Sequence, residues 1–237
     1  MNPNFGTIFG VPLVNDRVTS YQYVPPSDRP MKAVLISDCH IGAQLPTDIA
    51  VKLFTDTLNA LVSNEDPTVV FILGDLIDGT QSEVLLKAVL TELEKLPVPV
   101  YAIGGNHDRE FFSLINWPKN SNVKIFQELA IQITAQRAGK PDIKAFLAHD
   151  LLNNYRVRDP HAYFFVSWIK DGCKQYIKPD DWLITGHTHC GFLSNASRIA
   201  CIGQFSPEIK AFGYATLQFN QDLVLSIKNS LKSTNFR

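Results

Sequence analysis

Cysteine is scarce in this sequence of 237 residues, which contains four, and no two of them are spaced as Cys-x-x-Cys. In a chain of this length such widely separated cysteines need not be paired at all. We therefore expect Cys39, Cys173, Cys190 and Cys201 to be free thiols.

Long hydrophobic runs are absent as well. No stretch approaches the ~18 apolar residues that a membrane-spanning helix needs. Residues 1–15 lack the positively charged start and the apolar stretch of a secretory signal peptide. These absences predict a soluble, cytoplasmic protein without a membrane span.

A strong charge of either sign is missing, because 22 Lys and Arg residues balance 23 Asp and Glu residues to a formal net charge of −1. A general binder of polyanions needs a basic patch that releases many counterions, so no nucleic-acid track is evident. Internal repeats and low-complexity segments are also absent. The hydrophobic content of 45% and the aromatic content of 11% are typical of a globular protein of one domain, with or without a small appendage.

Proline, by contrast, is concentrated at the start, where residues 1–30 hold five of the 14 prolines. Proline fixes the backbone and interrupts regular elements. We therefore expect an extended N-terminal arm over residues 1–30, with one edge strand around Thr19–Val24. Residues 31–237 are expected to form one domain.

Two strand–helix units and a third strand follow the arm. Apolar periodicity predicts strands at Lys32–Ser37, Val69–Ile72 and Val98–Ile103, and helices at Thr47–Ser63, with Thr47 as its cap, and Ser82–Glu94. Units of this kind specify a parallel sheet wound by right-handed crossovers.

The second half of the chain is predicted to be richer in strands. After a short helix near Phe111–Ile115, the predicted strands are Val123–Phe126, Leu129–Thr134, Lys144–Ala148, Trp182–Thr185 and a closing antiparallel set of Ser197–Ile202, Tyr214–Phe219 and Leu223–Ile227. Residues 150–181 are the least regular. We expect them to form a surface insertion with a helix around Asp159–Asp171.

Histidine shows a pattern that scattered core residues do not. Five of the six histidines directly follow a predicted strand, and they are His40, His107, His149, His187 and His189. A hydrogen-bonded structural role is favoured for any one of them alone. Ligands bind beyond the carboxyl ends of strands in α/β sheets, and clustered imidazole, carboxylate and amide groups are what a bound metal requires. The whole set therefore indicates a metal site.

The residues around these histidines resemble the five ordered motifs of the calcineurin-like metallophosphoesterase superfamily. The motifs are Asp38-x-His40, Gly74-Asp75-x-x-Asp78, Gly105-Asn106-His107-Asp108, His149 and Gly186-His187-x-His189. The resemblance spans residues 32–220. It implies an α/β fold of the αββα type, a layered sheet sandwich with parallel βαβ units and a closing antiparallel set.

The resemblance also implies a ligand set for two divalent metal ions. Asp38, His40, Asp75 and His189 would bind one metal, and Asp75, Asn106, His149 and His187 would bind the other. Asp75 would bridge the two. Mixed Asp, Asn and His ligation suits manganese, our first choice, and also iron, zinc or nickel.

The implied activity is that of a phosphoesterase acting on a phosphodiester, pyrophosphate or phosphomonoester bond of a small substrate. A metal-bridging hydroxide would be the nucleophile, since metal coordination lowers the pKa of water toward neutrality. His107 would be the general acid near the leaving group, with Asp108 holding its ring in orientation.

Several nearby residues have two interpretations each. Asp78 either bonds to a metal-bound histidine or caps the following helix. Cys39 and Cys190 flank proposed ligands but are expected to point away, since neighbours along a strand face opposite sides. The insertion at 150–181 lies between two motifs and is expected to overhang the site. Its candidate substrate contacts are Arg156, Arg158 and His161, although a solvated charged face would carry the same residues.

Two other functions stay open on the sequence. A non-catalytic binding or scaffold module on the same fold would be expected to lack ligands or the acid. A nuclease would favour a longer chain with a DNA-binding appendage. Serine/threonine protein phosphatases have arginine where this chain has Gly105 and glutamate where it has Asp108, so we expect a preference for phosphodiesters over phosphoproteins. The sequence leaves the oligomeric state open.

Overall fold

The computed structural model describes residues 5–8, 11–13, 18–20, 30–79, 83–126, 129–135, 141–151, 162–174, 176–219 and 223–229. The α-helices in these ranges are α1 (Thr47–Glu65), α2 (Glu83–Leu93), α3 (Arg109–Leu114) and α4 (Ala162–Gly172). The strands are β1 (Phe5–Ile8), β2 (Val11–Leu13), β3 (Val18–Ser20), β4 (Met31–Ile36), β5 (Val69–Leu73), β6 (Val100–Ile103), β7 (Val123–Phe126), β8 (Ala130–Ala135), β9 (Ile143–Ala148), β10 (Trp182–Thr185), β11 (Gly191–Ser194), β12 (Ile199–Ile202), β13 (Phe205–Ser206), β14 (Ala211–Phe212), β15 (Tyr214–Phe219) and β16 (Leu223–Lys228).

The first sheet has the strand order β16-β15-β4-β5-β6-β7. Strands β4 to β7 are parallel, whereas β15 is antiparallel to both β4 and β16. All five residues of β5 are buried and apolar, as expected for a strand covered on both faces. The predicted parallel βαβ units and the antiparallel closure by β15 and β16 are confirmed.

The second sheet is mixed, with the order β11-β12-β10-β9-β8-β3. The prediction that Ser197–Ile202 joins the closing antiparallel set is wrong, because β12 pairs in parallel with β10 and belongs to this sheet. All four residues of β12 are buried, and the sequence pattern of so short a buried strand does not specify its neighbour. Strand β3 lies at the opposite edge of the sheet, parallel to β8. The edge strand expected around Thr19–Val24 is thus found at Val18–Ser20. Residues 21–29 lie outside the described ranges.

The two sheets face each other across one hydrophobic layer. Phe71 and Ile103 of the first sheet share it with Leu147 and Ile184 of the second. Helices α1 and α2 cover the outer face of the first sheet, and α4 covers the outer face of the second. The order is therefore helix, sheet, sheet, helix, and the predicted αββα sandwich is confirmed.

One local prediction is wrong. Thr47 does not cap α1, because Pro46 occupies the N-cap and no side chain there bonds the free backbone amides. The helix expected around Asp159–Asp171 is α4, whose Phe165, Val166 and Ile169 are buried against β10 and β12 while Phe164 is exposed. Apolar residues on one face of α4 thus have a sheet to pack on, which the irregular flanking sequence did not reveal.

Candidate metal centre

The site is built at the carboxyl ends of five strands from both sheets. Asp38 and His40 follow β4, Asp75 follows β5, and Asn106 and His107 follow β6, all in the first sheet. In the second sheet, His149 follows β9, and His187 and His189 follow β10. Because β9 and β10 are parallel, as are β4 to β6, each group of loops meets at one sheet edge.

One cluster of donor atoms contains Asp38, His40 and His189. The His189 Nε2 atom lies 3.3 Å from Asp38 Oδ1 and 3.2 Å from His40 Nε2. The backbone N–H of His187 donates to Asp38 Oδ2 at 2.9 Å, which fixes the carboxylate. Asp38 is fully buried, whereas the His189 side chain is 45% exposed, so this cluster is reached from solvent on the His189 side.

A second cluster contains Asn106, His149 and His187. Asn106 Oδ1 lies 3.0 Å from His149 Nε2 and 2.9 Å from His187 Nδ1, and the two histidine nitrogens are 3.3 Å apart. The His149 Nδ1–H donates to the carbonyl of Leu73 at 2.8 Å, which turns Nε2 toward the cluster. His187 is held by ring contact with Phe165, at a centroid distance of 5.5 Å.

Asp75 lies between the two clusters. Its Oδ2 atom is 3.3 Å from His149 Nε2 and 3.8 Å from His40 Nε2. Its Oδ1 atom accepts the backbone N–H of His107 at 2.8 Å. Gly105 must be glycine for this approach, since a Cβ atom there would lie 2.2 Å from Asp75 Oδ1. One carboxylate oxygen of Asp75 therefore faces donors of both clusters.

The donor set fits divalent cations. Ligand atoms about 2.1 Å from a cation in octahedral geometry lie roughly 3 Å from one another, and the separations within each cluster are 2.9 to 3.3 Å. Imidazole nitrogens with carboxylate and amide oxygens are the ligands that manganese, iron, zinc and nickel accept. The described residues thus offer places for two metal ions that share Asp75.

Backbone strain is concentrated at the same residues. Nine of the described non-glycine residues have positive φ. Five of them are proposed ligands, with φ values of 56° for Asp38, 47° for His40, 51° for Asp75, 72° for His187 and 59° for His189. Such conformations cost about 1–3 kcal/mol each and persist where the surroundings fix them, typically at functional sites.

The electrostatics of the buried carboxylates also fit a cation site. Burial alone would raise the pKa of Asp75, but the charge of His149 and its hydrogen bond lower the pKa by more than burial raises it. The pKa of Asp75 therefore lies below its usual value. Burial would also raise the pKa of Asp38, but the bond from His189 and the charge of His149 together bring it below its usual value. Burial would lower the pKa of His149, yet the charge of Asp75, its hydrogen bond and the charge of Asp38 together raise it to about 10. Both carboxylates are therefore ionised at neutral pH.

The expected role of Asp108 is wrong. Its carboxylate is fully buried and accepts backbone N–H groups, with Oδ2 bonding Leu76 at 2.6 Å and Ile77 at 3.2 Å and Oδ1 bonding Gly105 at 2.7 Å. Burial, with the charge of Asp75, raises the pKa of Asp108 to about 7. Asp108 thus links the loop after β5 to the loop after β6, and the His107 ring is contacted by other residues.

The partners of the His107 ring come from the loop after β5. Gly79 N–H donates to His107 Nδ1 at 3.3 Å, and Asp78 Oδ2 lies 3.9 Å from the same nitrogen. Asp78 Oδ2 also lies 3.8 Å from His40 Nδ1. The Asp78 carboxylate thus faces two site histidines, and residues 80–82, which precede α2, lie outside the described ranges.

The family model for calcineurin-like phosphoesterases matches residues 31–211. The chain belongs to the calcineurin-like phosphoesterase family. A curated relative, the "Transmembrane protein with metallophosphoesterase domain" of Bos taurus, is 28% identical over 194 residues, which are 71% of this chain and 42% of the relative. The chain thus spans less than half of that protein's length.

One solved structure shares the fold. A dimetal phosphatase from Danio rerio aligns with a TM-score of 0.50 at 14% identity, covering 85% of this phosphoesterase and 97% of the other chain. A nuclease from Pseudomonas putida aligns with a TM-score of only 0.39 at 15% identity, covering 82% and 87% of the two chains. Family membership and the donor set together support a metal-dependent phosphoesterase.

One residue of this phosphoesterase centre escaped the sequence analysis. Asp150 is fully buried, and its carboxylate lies near ring nitrogens of His149 and His187. The same carboxylate pairs with Arg109 Nη2 at 3.1 Å. The sequence feature that could have identified Asp150 is its position directly after His149. The candidate substrate contacts Arg156, Arg158 and His161 lie outside the described residues.

No cysteine belongs to the candidate ligand clusters of the described residues. All four are free, with Cys190 exposed and Cys39, Cys173 and Cys201 buried. Within the described ranges, every group of candidate ligand atoms consists of Asp and His alone. None of the described helices has both the length and the apolar character that crossing a membrane requires.

Proposed function

We propose that this chain is a hydrolase that cleaves a phosphodiester, pyrophosphate or phosphomonoester bond in a small substrate, with two divalent cations held by seven side chains. The observation that supports it most directly is the convergence of these donors into two clusters that share Asp75. A non-catalytic module would be expected to lack one of the donors or the acid, and the chain has all of them.

The proposed division of ligands follows the two clusters. Asp38, His40 and His189 would hold one cation, Asn106, His149 and His187 the other, and Asp75 both. When bound, such cations lower the pKa of water toward neutrality and neutralise charge on the phosphoryl oxygens. Manganese remains our first choice, with iron, zinc and nickel as alternatives.

His107 is proposed as the general acid. Its side chain is 28% exposed, and its ring centroid lies 4.7 Å from that of His40, so it stands beside the donors and within reach of solvent. The acid would be the protonated imidazolium, which gives one ring proton to the leaving-group oxygen and becomes the neutral ring.

The preference for phosphodiesters and the cytoplasmic location remain predictions. The arm at residues 1–30 and a substrate role for the segment at 150–181 are likewise proposals, since only part of each segment is described. The oligomeric state is open.

The decisive experiment compares hydrolysis of bis-p-nitrophenyl phosphate and p-nitrophenyl phosphate by protein stripped of metal and reloaded with manganese. Elemental analysis of the protein as purified accompanies it. We expect two metals per chain and metal-dependent turnover, faster for the diester. A chain that binds no metal under any loading would contradict the proposal and favour the binding module.

A further inference from the structure

Glu208 contacts the loop that carries Asp38 and His40 without belonging to any motif. It lies in a short 3₁₀ turn, Pro207–Ile209, directly after β13. Its carboxylate accepts three backbone N–H groups, with Oε1 bonding Gly42 at 2.6 Å and Oε2 bonding Gln44 at 2.8 Å and Leu45 at 2.9 Å. Hydrogen bonds to a charged group are stronger than neutral ones, so this contact holds the loop just after His40.

The same segment holds the loop just before Asp38. The backbone N–H of Phe205 donates to the carbonyl of Ser37 at 2.9 Å. The Phe205 ring is fully buried and meets Phe54 of α1 edge-on, at a centroid distance of 6.3 Å. Residues 205–208 are thus anchored in the core and contact the loop on both sides of its two ligands.

The opposite side of the loop is fixed by the Asp75 motif. Asp38 N–H donates to the Gly74 carbonyl at 3.1 Å, and His40 N–H donates to the Asp75 carbonyl at 3.0 Å. Asp38 and His40 nonetheless both have positive φ. A strained backbone of this kind persists only where contacts on every side determine it, and residues 205–208 provide one of those sides.

We propose that Glu208 is a positioning residue for the cluster of Asp38, His40 and His189, an inference that rests on the proposed function. Its carboxylate makes its three hydrogen bonds to the loop next to His40, whereas Asn106, His149 and His187 lie in loops that follow other strands. Removing its charge therefore weakens cation binding in one cluster and spares the other. Loss of a group that orients metal ligands typically lowers metal affinity 10–100-fold.

The test is Glu208→Gln, with Glu65→Gln as the matched control. Both glutamates hold three partners, but Glu65 lies at the far end of α1, where it bonds Tyr214 and Lys228. Calorimetric titration of stripped protein with Mn²⁺ is expected to show two binding events in the parent and in Glu65→Gln. In Glu208→Gln one event is expected to weaken 10–100-fold, and it must be the event that His40→Ala abolishes.

A second readout needs no metal. Hydrogen exchange of metal-free protein is expected to be faster in peptides covering residues 38–45 of Glu208→Gln than in the parent or the control. Titration and exchange that match the parent would overturn the inference. A parent that binds two metals but hydrolyses nothing would contradict the proposed function alone, and a parent that binds none would overturn both.

Discussion

Three side chains in the centre are each oriented by a specific hydrogen bond. His149 donates from Nδ1 to a strand carbonyl, Asp38 receives a backbone N–H from His187, and Asp75 receives one from His107. Such bonds fix the tautomer or rotamer before any ligand arrives. Substitution at one of these residues should therefore have a defined chemical effect with little change in fold.

Asp75→Asn should release or weaken both metals together, because its Oδ2 atom faces donors of both clusters. An amide keeps the shape but loses the negative charge that two cations share. Elemental analysis after dialysis should give fewer than one metal per chain for this variant. Asp48→Asn, which changes an exposed carboxylate in the first turn of α1, should keep both. Loss of one metal only would contradict the bridging role.

His107→Asn should keep both metals and lose turnover. A general acid contributes about 10²–10⁴-fold to the rate, so kcat should fall by that order for a substrate with an alkoxide leaving group. The loss should be smaller for p-nitrophenyl esters, whose leaving group needs no proton. Equal rates for parent and variant with every leaving group would show that His107 is not the acid.

For single residues, the positions of the proposed ligands at the sheet edges were predictable from the sequence, and the contacts that support them were not. Each proposed ligand follows a buried strand, which places it at a sheet edge whatever the loop does. The partner of a buried carboxylate, however, depends on the loop conformation. Asp108 was therefore assigned to the His107 ring, whereas it bonds backbone amides of the Asp75 loop.

Among the elements, α1 is joined to the first sheet at its C-terminal end through Glu65. The carboxylate accepts from Tyr214 Oη of β15 at 2.8 Å and from Lys228 Nζ of β16 at 2.6 Å, and Lys32 Nζ of β4 lies 3.4 Å away. Burial raises the pKa of Glu65, but the bonds from Lys228 and Tyr214 lower it below its usual value.

Glu65→Gln should destabilise the protein by about 1–3 kcal/mol at neutral pH, as expected for hydrogen bonds to a charged group. Because the pKa is lower in the folded state, this stabilisation is fully present above the unfolded value of 4.5 and is lost as pH falls through the folded value. Urea denaturation at neutral pH and at about pH 3.5 should show the difference from the parent shrinking.

Glu83→Gln provides the comparison for that series. Glu83 pairs with Lys87 on the exposed face of α2, and its side chain is 43% exposed. Exposed pairs of this kind contribute less than about 1 kcal/mol, so its removal should change stability little at either pH. A difference for Glu65→Gln that does not depend on pH would show that lost packing, and not charge, is responsible.

Helices and long buried strands were the predictable elements. Each of α1, α2 and β5 has a sustained apolar period or run that the sequence shows directly. The short strands β11, β13 and β14 have two to four residues and no period to detect. Their pairing is decided by tertiary contacts, and so is that of β12.

The whole molecule is two sheets joined at the metal centre. The first sheet supplies Asp38, His40, Asp75 and Asn106, and the second supplies His149, His187 and His189. Cations held by both sets would link the sheets in the folded state only, so they would stabilise that state by mass action.

Removal of metal by a chelator should therefore lower the melting temperature. A ligand at 100 times its dissociation constant adds about 2.7 kcal/mol, which corresponds to a shift on the order of 5–10 °C for a chain of this size. Calorimetry with and without chelator would measure it. Asp75→Asn should melt at the same temperature in both conditions, and an unchanged parent whose metals have demonstrably left would contradict the link.

Strand β4, which precedes the first motif, pairs with a strand that comes much later in the chain. Its neighbour on one side is β15, and the segment 205–208 braces the loop that follows it. During synthesis, residues 31–200 leave the ribosome before either of these can form. The proposed ligands that are translated first are consequently among the last whose loop is fixed by its contacts. Until β15 is synthesised, one edge of β4 stays unpaired in the nascent chain.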